Sequence, residues 1–325
     1  MTLNILILGA SGQDGSYATD NLLARGHNVY AAIRKAATSN TKNLQKIIDS
    51  PPSNFNLERF DLSDESSIYS LISSTKPDLI FNYADQDHVS WSHSLPIYSC
   101  DITARAVNVI LEAIKLLSPN SLLIQPISSN IFGNSNEEDI SEKSLISPLS
   151  PYGISKATAL YLCRYYRSAY DLQIINPILF NHESERRTKE YVTRKISLTA
   201  SLIKANRVDK ITLGDTSARI DWGYAPEYVD LMINLAISKQ NDEFIIGTGS
   251  LFSVHEFANA CFDRLDLNLE KYLEIDKKLI RPTKNKPLKA NIKKVNSVSG
   301  YFPKIYGKDL AHRMVDNDIK TISND

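Results

Sequence analysis

The sequence predicts an α/β fold, a doubly wound parallel sheet with a smaller, discontinuous lobe attached, and three observations carry the prediction. An apolar run at residues 3–8 stops at a glycine turn, Gly9, Gly12 and Gly15. Apolar strand-length segments then alternate with helix-length ones through the first half of the chain, and each ends in polar residues, where a parallel sheet collects its ligands.

The first strand, with Leu3, Ile5, Leu6, Ile7 and Leu8, is apolar almost throughout, as a central strand covered on both faces must be. Gly9 allows a tight turn, Gly12 lets the backbone approach a pyrophosphate, and Gly15 lets the next helix lie close to the strand with its N-terminus toward the anion. Gln13 and Asp14 lie inside this turn, and Tyr17, Leu22 and Leu23 give the helix an apolar face. Gly26 announces a second strand at 28–33, which completes a dinucleotide-binding βαβ unit of the Rossmann type. About 20 residues beyond the last glycine an acidic residue would hold the ribose of NAD, whereas an arginine accommodates the extra phosphate of NADP. Here Arg34 stands, followed by Lys35, so NADP is expected, with NAD possible and a solvated cation pair as the bland alternative.

Residues 35–43 read as a polar loop at the adenosine end, and residues 55–60 as a third strand leading to Asp61 and Leu62. Asp61 is either an adenine contact or a helix cap ahead of Ser63 and Asp64. A helix at 68–73 and a strand at 79–83 follow. The segment 82–89, NYADQDHV, then places many polar groups at a strand C-terminus. A helix at 101–117 should bury Ala106, Val107, Ile110, Ala113, Ile114 and Leu117, leaving Asn108 off the stripe. A strand at 121–127 delivers Ser128, Ser129 and Asn130, and a helix starts at Tyr152 with Lys156 one turn on. That spacing puts phenol and ammonium on one face. A nearby cation favours phenolate, so Tyr152 can act as acid or base nearer neutral pH, with Lys156 also able to hold the nicotinamide ribose and Ser128 completing the proton-transfer set.

Acidic and basic residues number 37 each, so the chain has no net field, and neither nucleic acid nor a membrane surface is expected as a partner. The apolar N-terminus is too short for a signal peptide and is broken by the glycine turn, and no stretch reaches membrane-spanning length. Cys100, Cys163 and Cys261 lack metal-like spacing and are expected as ordinary buried thiols in a cytoplasmic protein.

At the level of whole motifs the chain resembles the GDP-mannose 4,6-dehydratase family of extended short-chain dehydrogenase/reductases. The resemblance rests on GASGQDGSY at 9–17, the frame of NYADQDHV, SPYGISK at 150–156, LFNHES at 179–184, Arg186-Arg187, YVTRKIS at 191–197, DWG at 221–223, FIIGTG at 244–249 and RPT at 281–283. It implies a GDP-sugar substrate, with Asn181 at its diphosphate, Val192 and Lys195 at the guanine, and Arg281 near the diphosphate. It also implies His182 beside the cofactor, Asp61-Leu62 at the adenine, and a homodimer or homotetramer in which Arg186 and Arg187 help subunits meet. The cofactor domain is expected at 1–175 with about 224–249, and the nucleotide-sugar lobe at 176–223 and 250–325. A basic loop with Arg194 and Lys195 simply solvated is the alternative to the guanine site.

The departures matter as much. In the family a glutamate takes the proton from sugar carbon 5 so that water can leave carbon 6, and Asn130 occupies its place, beside Ser128 as the surviving hydroxyl. An amide has no usable acid or base in this range, and losing a positioned base costs about 10²–10⁴ in rate. Asp85 and Asp87 stand where relatives carry small residues, as relocated bases, altered substrate contacts or a loop hydrogen-bond set. The arginine before DWG has become Ile220, with Arg219 beside it as a substitute substrate contact, and Lys284 replaces an acidic residue after RPT. Oxidation of carbon 4 of a GDP-hexose is therefore expected and elimination is in doubt. A GDP-sugar 4-reductase, 4-epimerase or 4-dehydrogenase is the alternative. A catalytically silent GDP-sugar-binding subunit is a third reading, against which the intact Tyr152–Lys156 pair argues.

Overall fold

The computed structural model describes residues 2–35, 40–279 and 286–324. The chain divides into two compact units, the first formed by Met1–Ser135, Glu142–Leu179 and Val229–Ile245, the second by Asn136–Ser141, Phe180–Tyr228 and Ile246–Asp325.

The first unit is organised by an eight-stranded sheet. Its strands are β1 (Asn4–Leu8), β2 (Asn28–Arg34), β3 (Phe55–Phe60), β4 (Leu79–Asn82), β5 (Leu122–Ile124), β6 (Ile127–Ser128), β7 (Ile174–Leu179) and, after an excursion of the chain into the second unit, β12 (Glu243–Ile246). They run in the order β3-β2-β1-β4-β5-β7-β12, with β6 pairing with β7. The pairings of β1 with β2 and β4, β2 with β3, β4 with β5, and β7 with β5 and β6 are parallel. Strand order reverses between β1 and β4, and the crevice beyond their C-termini is where such a sheet takes ligand. Ile5, Leu6 and Ile7 of β1 are fully buried, and all six residues of β7 are buried, as expected for strands covered on both faces.

The helices of this unit are α1 (Gln13–Ala24), α2 (Gln45–Asp49), α3 (Glu65–Thr75), α4 (Val89–Ser94), α5 (Pro96–Cys100), α6 (Ala106–Leu117) and α7 (Pro151–Tyr170). The sequence had suggested a helix across 101–117, but its first turn, Asp101–Arg105, is wound as a π-helix. Leu117 is not core: it sits 41% exposed in the last turn of α6. Cys163 and Cys261 are buried but Cys100, at the end of the short surface helix α5, is exposed, because five residues bury only one face. Asp61 is not the cap of α3: Asp64 is, accepting from the Ser66 N–H at 3.0 Å, while Asp61 accepts from the Ser63 N–H at 2.9 Å in its own turn. Within the 35–43 loop, residues 36–39 lie outside the described residues.

In the second unit β8 (Asn181–Glu183) pairs with β11 (Trp222–Tyr224), β9 (Ile211–Leu213) with β14 (Leu273–Ile275), and β10 (Arg219–Ile220) with β13 (Phe252–Ser253). Helices α8 (Val192–Lys204), α10 (Val254–Asp263) and α12 (Gly307–Asn324) pack on one another over a core that includes Ile196, Trp222, Phe257, Phe262 and Met314. The remaining helices are α9 (Ala225–Ile237), which crosses the division between units at Val229, and α11 (Lys293–Ser299). Two of the family-like motifs are explained by one buried carboxylate. Asp221, of DWG, accepts from the Thr248 N–H at 2.8 Å, the Thr248 hydroxyl at 2.6 Å, the Gly249 N–H at 2.9 Å and the Ala290 N–H at 3.1 Å, tying the GTG turn in place. A Cβ on Gly247 would stand 2.2 Å from that of Ala290, so this turn tolerates only glycine there.

Candidate active site

The glycine turn lies where β1 ends beside β4. Gly9 has φ +79°, and a Cβ there would stand 2.7 Å from the Ala84 backbone nitrogen, in the segment that follows β4. A Cβ on Gly15 would stand 2.4 Å from the Gly9 carbonyl oxygen. Both glycines are therefore demanded by backbone approach. Gly12 is the N-cap of α1 and supplies no side-chain cap, so the helix N-terminus stays open to an anion. These are features that fit the pyrophosphate of a dinucleotide. Gln13 is buried and its amide donates to Asp14 at 3.2 Å. Arg34 is exposed at the C-terminal end of β2, in register with Phe60 of β3, and Leu62 is buried just beyond β3.

The proton-handling groups gather at the ends of β4 and β6. Ser128 closes β6 and caps the turn 129–132, its Oγ accepting from the Asn130 N–H at 3.2 Å and from the Asn130 Nδ2 at 3.0 Å. The catalytic-helix candidate α7 starts under a Ser150 cap, with Pro151 in its first turn. It can lie against the Asn130 turn only because residue 153 is glycine: a Cβ there would stand 2.7 Å from the Asn130 carbonyl. Tyr152 is 7% exposed and hydrogen-bonded to Ser128. One turn on, the Lys156 ammonium lies 5.9 Å from the centre of the Tyr152 ring and donates to the Pro126 carbonyl at 3.1 Å.

The loop after β4 changes the electrostatics. Asp85 forms an ion pair with Lys156, and the two side chains are only 10% and 8% exposed. Thr103, in the π-helical turn, donates to the same carboxylate, and the Gln86 N–H donates to it at 2.7 Å. Asp85 is thus not placed as a relocated proton abstractor. Asp87 is exposed at the same loop. Burial raises the Tyr152 phenol, Lys156 lowers it, and Asp85 raises it again, leaving it pushed up to about 12. Lys156 acts on this phenol in the expected direction, downward, and burial and Asp85 act against it. For Lys156 itself burial acts downward, but Asp85 overrides it and holds the ammonium above its ordinary range. Thr103 carried no signal in the sequence, because its partner lies in another loop.

The substrate candidates belong to the second unit. Asn181 is exposed on β8; His182 donates through Nδ1 to the Phe180 carbonyl at 2.9 Å and stacks on Tyr228 at 5.0 Å between centroids. Val192 and Lys195 begin α8. Neither basic residue here is simply solvated: Lys195 donates to the Thr212 carbonyl at 2.6 Å, and Arg194 is ion-paired with the fully buried Asp318. The Arg187 guanidinium lies 3.5 Å over the Tyr191 ring and 3.3 Å from Glu183, within its own chain. Arg219 is exposed and donates to the Leu251 carbonyl at 3.0 Å. Arg281 and Lys284 lie outside the described residues.

Comparison with known proteins gives the same picture from another direction. The family model for GDP-mannose 4,6 dehydratase matches residues 6–314. GDP-mannose 4,6 dehydratase 1 of Arabidopsis thaliana is 37% identical, covering 97% of this chain and 89% of the relative. Among solved structures, dTDP-glucose 4,6-dehydratase from Bacillus anthracis, in complex with NAD, superposes with a TM-score of 0.84 at 19% identity, covering 99% of this chain and 98% of that one. RMD from Pseudomonas aeruginosa, complexed with NADPH, superposes at 0.77 with 17% identity, covering 98% and 100%. Matched from its first strand to its last helix and related at 37% identity along nearly its full length, the chain belongs to the GDP-mannose 4,6-dehydratase family of extended short-chain dehydrogenase/reductase enzymes.

Proposed function

We propose that this chain carries out carbon-4 oxidoreduction on a GDP-hexose with NADP, and that the elimination step is impaired. The observation that carries the reading is the constellation of Tyr152, Lys156 and Ser128 set in the same unit as the open, glycine-built N-terminus of α1. Gly9, Gly12 and Gly15, with Gln13 and Asp14, would hold the pyrophosphate, Arg34 the extra phosphate, Asp61 and Leu62 the adenine, and Lys156 and His182 the nicotinamide end. The bound nicotinamide would supply the hydride acceptor or donor. Tyr152 would pass the proton at the carbon-4 oxygen, with Ser128 hydrogen-bonded to the phenol. Asn181, Val192, Lys195, Arg219 and Arg281 are the residues proposed for the GDP moiety, and Asp87 for the sugar.

Asn130 supports the second reading, a 4-reductase, 4-epimerase or 4-dehydrogenase. Its amide is committed to Ser128 and has no proton to exchange at carbon 5. An exposed apolar stripe on α7, Ile154, Tyr161 and Tyr165, each 54% exposed, supports a homodimer or homotetramer, which sedimentation of the purified chain tests. Among the described residues no helix is long and apolar enough to cross a membrane.

The deciding experiment is incubation with GDP-mannose in heavy water, following product mass and cofactor absorbance. Reduced cofactor accumulating without loss of water is the expected result. Water loss with deuterium at carbon 5 would restore the full dehydratase. No change with bound nucleotide would remove GDP-mannose as the substrate.

A further inference from the structure

We propose that Asp85 is a positioning residue that, paired with Lys156 inside the fold, keeps Tyr152 a phenol and so sets the site to give a proton to a carbonyl oxygen at carbon 4. The inference rests on Tyr152 being the carbon-4 acid/base, and goes beyond it by assigning the resting proton.

Two independent pieces of geometry converge. The first is charge. Lys156 is the cation next to Tyr152, and a cation beside a phenol ordinarily favours phenolate. Its ammonium is matched by the Asp85 carboxylate, and that carboxylate is itself fixed by Thr103 and the Gln86 N–H, so the pair is held as a unit. The charged and titratable groups facing Tyr152 are Lys156 from α7 and Asp85 and Asp87 from the loop after β4. Lys156 also faces Cys163, two turns further along α7, a thiol raised by its burial. β6 and the turn after it contribute only the neutral Ser128 and Asn130. The Lys156 cation is therefore matched by the buried Asp85 carboxylate, in a place where burial already disfavours the phenolate.

The second is hydrogen-bond direction. The Ser128 Oγ accepts from both the backbone N–H and the side-chain Nδ2 of Asn130. A hydroxyl has two lone pairs and one proton, so with both pairs occupied its proton is left for Tyr152. The phenolic oxygen then accepts from Ser128, and its own proton is directed away, toward a reacting group. A glutamate at position 130 would accept from Ser128 and reverse this direction. Asn130 is thus more than a lost base.

In the step this arrangement serves, Tyr152 would transfer its phenolic proton to the carbonyl oxygen of a 4-keto GDP-sugar while a bound reduced nicotinamide dinucleotide would supply the hydride to carbon 4. The carbonyl becomes an alcohol, the nicotinamide is oxidised, and the phenolate left on Tyr152 accepts from Ser128 until solvent reprotonates it. No prior deprotonation is needed at neutral pH. Running the other way, oxidation of the alcohol uses the phenolate as base and so quickens as pH rises.

The test uses the full chain carrying tyrosine labelled with carbon-13 at Cζ, with the Tyr152 signal assigned by Tyr152→Phe, together with the pH profile of carbon-4 oxidation. The wild-type signal should remain that of a phenol up to pH 10, and the oxidative kcat/KM should still be climbing there. Asp85→Asn keeps the shape and removes the charge; it should move both titrations to lower pH by about 1–2 units. Asp85→Ala gives a second reading of the same shift should the asparagine variant fail to fold. A slower Asp85→Asn enzyme whose titration and pH limb stay in place would overturn the proposal, because Asp85 would then only support the loop. A shifted Tyr152 signal in a chain that turns over no GDP-sugar would count against the substrate reading while leaving the Asp85–Lys156–Tyr152 coupling standing.

Discussion

The N-termini of α1 and α7 solve opposite problems with the same residue. Both helices follow strands of one sheet, and both need a glycine in the first turn so that backbone can approach backbone, Gly15 against Gly9 and Gly153 against Asn130. They differ in the cap. α1 begins at Gly12 with no side chain to satisfy its first turn, whereas α7 begins at Ser150, whose hydroxyl accepts from the Gly153 N–H at 3.1 Å. An uncapped N-terminus has its N–H groups to offer an anion; a capped one has used them on itself. The difference is what the proposed roles require: an N-terminus without a side-chain cap for the helix proposed to meet an anion, and a capped one for the helix that carries Tyr152 and Lys156.

The comparison can be broken by substitution. Gly15→Ala should have the largest effect, since the added methyl meets the backbone of Gly9 and Ala10 at 2.4 and 2.7 Å and nothing flexible can give way. Overpacking of this kind costs about 1–3 kcal/mol or more, and here it distorts the anion site itself, so calorimetry should show nucleotide binding lost. Gly153→Ala comes next. Its clash with the Asn130 carbonyl, at 2.7 Å, is partly offset by the roughly 1 kcal/mol gain of alanine in a helix. Titration should show nucleotide binding retained while turnover falls at least tenfold, because Ser128 and Asn130 are pushed from Tyr152. If Gly153→Ala lost nucleotide and Gly15→Ala kept it, the division of roles would be wrong. Ser150→Ala should be the mildest, a loss of about 1 kcal/mol in denaturant unfolding with the cofactor affinity unchanged.

A second comparison concerns the basic residues of the family-like motifs in the two units. In the first, Arg34 is exposed at a strand end, and Lys156 is neutralised by Asp85. In the second, Arg194, Lys195 and Arg187 all have partners within their own unit: Asp318, the Thr212 carbonyl and Glu183. A basic residue in a family-like motif is thus often spent on holding the motif's shape, as Asp221 is on holding the GTG turn.

Much of the first unit was legible in sequence. Residues 3–8 had to be a central strand because they were apolar on both alternating faces, the three glycines followed at turn spacing, and Tyr152 with Lys156 shared a helix face by periodicity alone. These are local facts: one strand, one turn and one helix fix them. Short elements were less legible, since α2, α4 and α5 are five or six residues long and carry too few positions to show a period.

What tertiary structure alone decided was the state of charge and the choice of partner. The sequence placed Asp85 near a site but left open whether it was a base, a contact or a loop ligand; only the approach of the β4 loop to α7 made it the counter-ion of Lys156. The same approach, with burial, sets against the downward pull of Lys156 on Tyr152 two opposing influences that the sequence did not show, and the phenol is pushed up to about 12. The physical reason is range. Helix and strand signals come from neighbours in the chain, whereas desolvation and Coulomb energies depend on distances between groups that the chain brings together only when it has folded.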